Sequence, residues 1–378
     1  MLVGALAKIV CMLDVKANRS KQRNKKKKLA RIDLEALSDD TCKKEFRFTL
    51  SEIKAMCATM NLPLYLEFKH SKSYTVRVER EFAFALVLYW YTFPQKYTTM
   101  KSVWGMSAKT LGLIVNKFTE LLRNKFKNEL EFDTRQFSSE NCKTFPNVVG
   151  FVDGTMQKVS RPSSYEDQKL IYNGWKHIHC IKYQAIATPN GITSSLVGPF
   201  IGSTHDARIF DESKTLDCLI VHLDHISKDD NVLFKYVVYR DMAYPKSDKV
   251  YKPFPLSEAN NDKLKKINKS IRKTRIQVEI EFGKVSQLFK FCKYNYGIKI
   301  FANTKPATIY ILSNLFKNFH MCIKGSAGSK LFKLQPPNIH DYIKGLMHEY
   351  QPEDTIDNYK TILNNASNLV ETVTVPDN

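Results

Sequence analysis

The stretch NVVGFVDGTMQKVSRP, Asn147 to Pro162, decides how this chain is read. Val148, Val149, Phe151 and Val152 have the β-branched and aromatic composition of a buried strand, and they lead directly into Asp153, Gly154 and Thr155. A carboxylate buried there without compensation costs on the order of several kcal/mol. Two compensations are open from these residues alone. Asp153 caps a turn by accepting backbone N–H groups, or it is held there to bind something positive.

Downstream, His179–Ala187 and Ile192–Val197 read as strands joined through Pro189-Asn190-Gly191, a hairpin signal. A helix is expected to start near Asp206. A further strand, Val232–Tyr239, runs into Asp241, so two strands are expected to end in a carboxylate. On neighbouring strands the two would repel unless a divalent cation neutralised them. Residues 262–291 read as a long basic helix whose buried face carries Ile271, Val278, Phe282, Val285 and Phe289. Glu279 lies on one flank of that face with Arg272 and Arg275, and Glu281 on the other. An intrahelical ion pair is the alternative reading of Glu279. In the segment THDAR, Asp206 is either a rival second acid, with His205 beside it, or a helix cap. His177 and His179 read as a partly buried structural pair.

Composition bounds the partners. The chain has 378 residues, 43% of them hydrophobic, and 58 Lys and Arg against 38 Asp and Glu give a formal charge of +20. A globular protein with this balance favours a polyanion, nucleic acid before an anionic membrane surface. No apolar run approaches the roughly 20 residues that span a bilayer. The opening MLVGALAKIVCML carries Lys8 in its middle and does not read as a signal peptide. Eight cysteines without a CxxC pair fit a reducing compartment and give no structural zinc pattern.

Residues 1–45 are expected to form a basic, disordered tail, whose Lys25–Lys28 run suits nuclear import or phosphate contact as well as a solvated tail. Residues 46–135 read as helical. Thr49–Glu52 is a capping-box pattern, and Glu79–Phe93 reads as a buried helix stopped by Pro94. A segment ending at Trp104, a turn at Gly105 and a helix entered through Ser107, with Leu111, Val115, Phe118 and Leu122 on one face, make a helix-turn-helix outline. Helical hairpins with that outline also occur without any DNA contact. Residues 326–378 read as a polar tail that carries no chemistry.

In order and spacing, the segments GFVDGT, RPSSYEDQKLIYNGWKHIHCIKYQAIATPNGI, GPFIGSTHDARIF, RDMAYP and NKSIRKTRIQVEIEFG resemble the DDE superfamily of PIF/Harbinger-type transposases and the nucleases derived from them, over residues 146–292. The resemblance implies an α/β fold: an RNase H-like catalytic domain over 146–325, a mixed sheet flanked by helices, preceded by a helix-turn-helix-like region. It implies a first Asp on the central strand, a second ending a later strand, and a Glu on a following helix. By motif these are Asp153, Asp241 and Glu279, catalytic residues and ligands of two Mg²⁺ or Mn²⁺ ions, with His205 and Asp206 secondary. The implied activity is cleavage of double-stranded DNA, followed in a full transposase by strand transfer. Lys263, Lys265, Lys266, Lys269, Arg272 and Arg275 would hold the DNA backbone. The family also implies a separate Myb-like DNA-binding partner and action in the nucleus, and an oligomer is compatible with it. One departure stands out: the residue before the second Asp, commonly Gly in the family, is Arg240, which strand alternation points to the opposite face. The competing reading is a domesticated derivative that binds DNA and no longer cuts. An enzyme acting on RNA or RNA–DNA hybrids would share the site, and the helix-turn-helix outline weighs against it.

Overall fold

The computed structural model describes residues 31–71, 74–126, 132–138, 147–229, 236–240, 247–251, 262–293, 298–299 and 305–347. Within the helix spanning 262–288, the side chains of Lys263, Ile267 and residues 270–278 fall outside that description. The chain divides into two compact units. Of the described residues, 31–36 and 95–112 form the smaller, and 37–94 together with those from Leu113 on form the larger.

In the smaller unit, α4 (Tyr97–Trp104) buries Met100 and Trp104 and ends at Gly105. Gly105 takes the left-handed conformation (φ 64°), which returns its N–H to the Lys101 carbonyl. Ser107 then opens α5 (Ala108–Lys125) by accepting the Thr110 N–H at 3.1 Å. The two helices and their turn fall where the sequence puts them.

The larger unit has as its first helix α1 (Asp39–Phe46), which lies largely inside the stretch expected as tail. Ser38 caps α1, and Cys42 and Phe46 are buried. α2 (Leu50–Thr59) has the capping box read from Thr49 and Glu52, both reciprocal bonds being present. Next comes an antiparallel hairpin that the sequence reading lacks, β1 (Tyr65–Ser71) with β2 (Tyr74–Glu79). Its alternation is plain afterwards, since Leu66, Phe68, Val76 and Val78 point inward. α3 (Arg80–Thr92) is buried on nearly every side. Phe84 packs on Phe316 at 5.5 Å between ring centroids, Tyr91 on Phe289 and Phe316, and Trp90 on Phe291 at 4.4 Å. This early helix is therefore core for elements more than 190 residues later in the sequence.

The main sheet runs β6-β5-β3-β7-β8, with β3 (Val148–Lys158), β5 (Ile178–Ala187), β6 (Thr193–Ile201), β7 (Val237–Tyr239) and β8 (Val250–Tyr251). β5 is antiparallel to both of its neighbours, β6 and β3, whereas β7 runs parallel to β3 and β8 parallel to β7. Short β4 (Tyr172–Asn173), which follows α6 (Tyr165–Ile171), pairs with the start of β5. The hairpin between β5 and β6 turns at Gly191 (φ 92°), as its Pro-Asn-Gly signal implies.

Alternation gives β3 two distinct faces. Val152 on β3, with Ile186 and Val238 on its neighbours, joins Phe210, Cys218, Leu219 and Leu223 in one apolar core, the last three from α8 (Thr215–Asp229) and Phe210 from α7 (Asp206–Glu212). On the opposite face Thr155 and Tyr183 meet Tyr310 of α10 (Pro306–Lys324). Long α9 (Asp262–Leu288) packs on β3, α10 and α11 (Ala327–Phe332). The chain then forms α12 (Ile339–Met347), burying Tyr342, Ile343 and Leu346. Residues 326–347 thus belong to the packed unit: the Pro336-Pro337 pair that suggested a tail separates two short helices. Among the described residues no helix is long and apolar enough to cross a membrane.

Candidate active site

Asp153 does not end its strand. β3 continues for five residues beyond it, and Asp153 sits opposite Ala185 of β5 with no break in register. The polar run Gly154 to Lys158 hides this from a hydrophobicity reading, because those residues lie where the sheet is only partly covered. The carboxylate is half-buried, and one oxygen accepts the Gly154 N–H at 2.8 Å. On its own face Asp153 is flanked by Phe151, whose ring meets Tyr239 at 6.2 Å, and by Thr155, hydrogen-bonded to the Tyr310 hydroxyl at 3.0 Å. Burial pushes the Tyr310 hydroxyl up to about 12, so it remains protonated and neutral at physiological pH.

Gly154 explains its own identity. A Cβ there would stand 2.9 Å from a carboxylate oxygen of Asp206, so glycine is what lets that carboxylate close on the strand. Asp206 is the first residue of α7, preceded by His205 at the N-cap, whose side chain makes no capping bond. The Asp206 carboxylate is paired with Lys182 at 2.5 Å, and that ammonium also donates to the Thr204 carbonyl at 2.8 Å. Lys182 is almost wholly buried and stands opposite Met156, on the same face as Gly154. Asp206 thus approaches β3 from the face opposite Asp153, one residue further along. Sequence reasoning missed Lys182. The signal was a lysine inside the apolar run Ile178–Ala187, which asks for a buried counter-charge.

Asp241 lies outside the described residues. What precedes it is clear: β7 pairs parallel with β3, Tyr239 level with Phe151, and Asp241 follows Tyr239 by the same two residues that separate Asp153 from Phe151. Arg240 is described and fully buried, its N–H bonded to the Tyr251 carbonyl at 3.0 Å.

The two acids near the end of α9 have different surroundings. Glu279 is exposed, whereas Glu281 is 4% exposed and accepts the Gly328 N–H at 3.3 Å in the first turn of α11. Glu281 also opposes the effect of burial on Lys317, whose ammonium donates to the Gly191 carbonyl and the Thr193 hydroxyl; burial brings that lysine down to about 8. Phe282, Val285 and Phe289 form the buried side as expected. Lys265, Lys266 and Lys269 are exposed, Lys265 beside Asp262 at 3.5 Å, while Lys263, Arg272 and Arg275 are among the residues whose side chains are not described. Of the two histidines read as a partly buried pair, His179 is half-buried against Tyr172, but His177 is exposed and bonded to the Tyr172 hydroxyl at 3.1 Å.

Among the described residues, of which Asp241 is not one, no three His, Cys, Asp or Glu side chains come together as a metal site. The donor types do fit a hard divalent cation, since both described acids assigned by motif offer carboxylate oxygens. Residues 152–317 match the sequence model of the DDE superfamily endonucleases, a stretch running from β3 to α10 that contains Asp153, Asp206, Asp241 and Glu279. No curated protein and no solved structure is detectably similar to the chain.

Proposed function

We propose that this protein is a divalent-metal-dependent DNA endonuclease of the PIF/Harbinger transposase type, with an RNase H-like catalytic domain and Asp153, Asp241 and Glu279 as its acids. The observation that carries the reading is the position of Asp153: mid-strand on β3, the central strand of the sheet, with the antiparallel β5–β6 pair on one side and parallel β7 and β8 on the other, inside a stretch matched to endonucleases. That is the strand order expected of an RNase H-like domain. It also supports Asp241 as the second acid, because β7 is the neighbour on which that residue follows.

Mg²⁺ or Mn²⁺, held by Asp153, Asp241 and Glu279, would supply Lewis acidity and an activated water or 3′-hydroxyl. The chain's own groups do the rest. The Gly154 N–H fixes the rotamer of Asp153, and the Phe151–Tyr239 ring pair keeps one side of the carboxylate apolar. In hydrolysis the water oxygen bonds to phosphorus as the bond to the leaving oxygen breaks, and strand transfer is the same exchange with a hydroxyl as nucleophile. The exposed lysines of α9 hold the DNA backbone and make binding fall steeply with salt. Lys182 neutralises Asp206, giving it and His205 a supporting role in seating the β6–α7 connection. The α4–α5 helices as a DNA contact, a Myb-like partner, an oligomer and a nuclear site of action belong to this proposal as well, supported by the +20 charge and the family resemblance.

A derivative that binds without cutting would have been favoured by an Arg240 side chain competing with the cation. Its complete burial, on the Val238 side of alternation, supports a structural role instead. The test is cleavage of supercoiled plasmid by purified protein with Mg²⁺ or Mn²⁺, comparing wild type with Asp153→Ala and Glu279→Ala at matched DNA binding. Cleavage lost in both variants is expected. A wild type that binds without cutting under all metals, with a partner extract added, would overturn the proposal.

A further inference from the structure

The segment between β3 and β5 exposes aromatic rings instead of burying them. Trp175 is 80% exposed and Tyr165 67%, and Tyr172 is open as well. A lysine lies over each of the first two rings, Lys176 at 5.6 Å from the Trp175 centroid and Lys169 at 4.5 Å from Tyr165. Between Lys158 and His179 the basic residues Lys158, Arg161, Lys169 and Lys176 outnumber the acids Glu166 and Asp167. Burial and the nearby Arg161 push His179 below the usual histidine range, so at neutral pH its ring adds aromatic surface rather than charge.

The patch is also built, not loose. Tyr172 and Asn173 pair with His179 and Ile178, the Tyr172 ring lies 5.4 Å from that of His179, and Asn173 donates to the Gly202 carbonyl at 2.9 Å. Both the N–H and the hydroxyl of Ser203 donate to the Leu170 carbonyl, and Gly202 packs so closely on Ile171 and Cys180 that a Cβ would stand 2.3 Å from a carbonyl oxygen. The segment is therefore fastened to the connection that three residues later delivers Asp206 to β3. From Asp153 to Lys158 at the end of β3, level with Cys180 and beside the β5 residues that β4 pairs with, the strand advances five residues, roughly 17 Å at about 3.4 Å each. That is about five nucleotide steps along one strand of a duplex.

We infer that the segment between β3 and β5 is a binding platform for unpaired nucleotides, Trp175 stacking on a base while Lys169, Lys176 and Arg161 hold the adjoining phosphates. Aromatic faces interleaved with cations recognise single strands without reading sequence, because every base presents a π-face and every step a phosphate. Exposed rings of this size otherwise carry a cost in solubility. The inference rests on the nuclease reading for its occupant: the frayed or single-stranded DNA beside a cleaved phosphodiester.

Trp175 makes the test direct. The other two tryptophans, Trp90 and Trp104, are buried at 6% and 0% exposure, so exposed-tryptophan emission reports on this residue. The probes are a ten-residue oligothymidylate, a blunt duplex, and the same duplex carrying a five-nucleotide overhang. Oligothymidylate should quench the emission. Trp175→Ala should weaken its binding, read by anisotropy of a labelled oligonucleotide, by roughly five- to a hundredfold. Trp175→Phe should restore most of it, and blunt-duplex binding should be unchanged in both variants. Equal oligothymidylate binding by wild type and Trp175→Ala, or equal losses on blunt and overhang duplexes, overturns the inference. Plasmid cleavage measured in parallel separates the two claims. Quenching without cleavage leaves the platform and removes the nuclease, and cleavage without quenching does the reverse.

Discussion

Two pairs of acids invite comparison: Asp153 and Asp206 across β3, and Glu279 and Glu281 on α9. In each pair one member lies in the field of a buried lysine. Asp206 meets Lys182 at 2.5 Å, and Glu281 acts on Lys317 inside a network that also takes in Gly191, Thr193 and Asn318. Its counterpart has a different setting. Asp153 is half-buried on a backbone N–H, and Glu279 is exposed. A carboxylate compensated by an internal lysine is committed to the fold, because moving it would strand a buried charge. The proposed chemistry falls to the other two.

The largest effect that sharpens this contrast is on catalysis. Asp153→Asn and Glu279→Gln should each lower plasmid cleavage on the order of 10³-fold or more, about 4 kcal/mol in the barrier, with little change in melting temperature. Next comes Glu281→Ala, expected to destabilise by about 3 kcal/mol in urea unfolding, since it leaves Lys317 buried without its counter-charge and the Gly328 N–H without an acceptor. Its pH dependence has a definite sign. Lys317 titrates at about 8 in the fold, below a free lysine near 10.4, so the unfolded chain binds the extra proton between those values and stability rises with pH across that window. Removing Glu281 lowers the folded value further and widens the window downward, so the variant should recover part of its loss relative to wild type as pH rises towards about 8.

Smaller effects test the other pair. Lys182→Met should cost about 2 kcal/mol, less than a fully buried pair because Asp206 keeps 31% of its side chain exposed. Gly154→Ala should cost about 1 kcal/mol, the new methyl pushing the Asp206 carboxylate aside while Asp153 keeps its place. If instead Gly154→Ala abolished cleavage without destabilising the protein, the two faces of β3 would not be independent and the comparison would fail.

Much of this was legible in the sequence, and the exceptions share a cause. The β5–β6 hairpin, the caps at Thr49 and Ser107 and the buried α3 all follow from local signals that tertiary packing agrees with. Hydrophobic runs mark buried strand and miss the rest, so β3 was cut short at Asp153, where the sheet becomes half-covered. The β1–β2 hairpin alternates in only short pieces, and α1 and α12 were lost in segments that average polar while burying one face. At the site, the motif acids can be named from resemblance, yet no local pattern tells Glu279 from Glu281 by burial. The Asp206–Lys182 pair depends on two segments meeting across the sheet, which no local window contains.

The most direct measurement sets Asp153→Asn beside Asp206→Asn, recording Mg²⁺-dependent plasmid cleavage and melting temperature for each. The division of roles between these two acids requires that Asp153→Asn keeps its melting temperature and loses cleavage on the order of 10³-fold, whereas Asp206→Asn melts lower and loses roughly ten- to a hundredfold. An Asp206→Asn protein as stable as wild type and as inactive as Asp153→Asn, or an Asp153→Asn protein that still cuts, would contradict it.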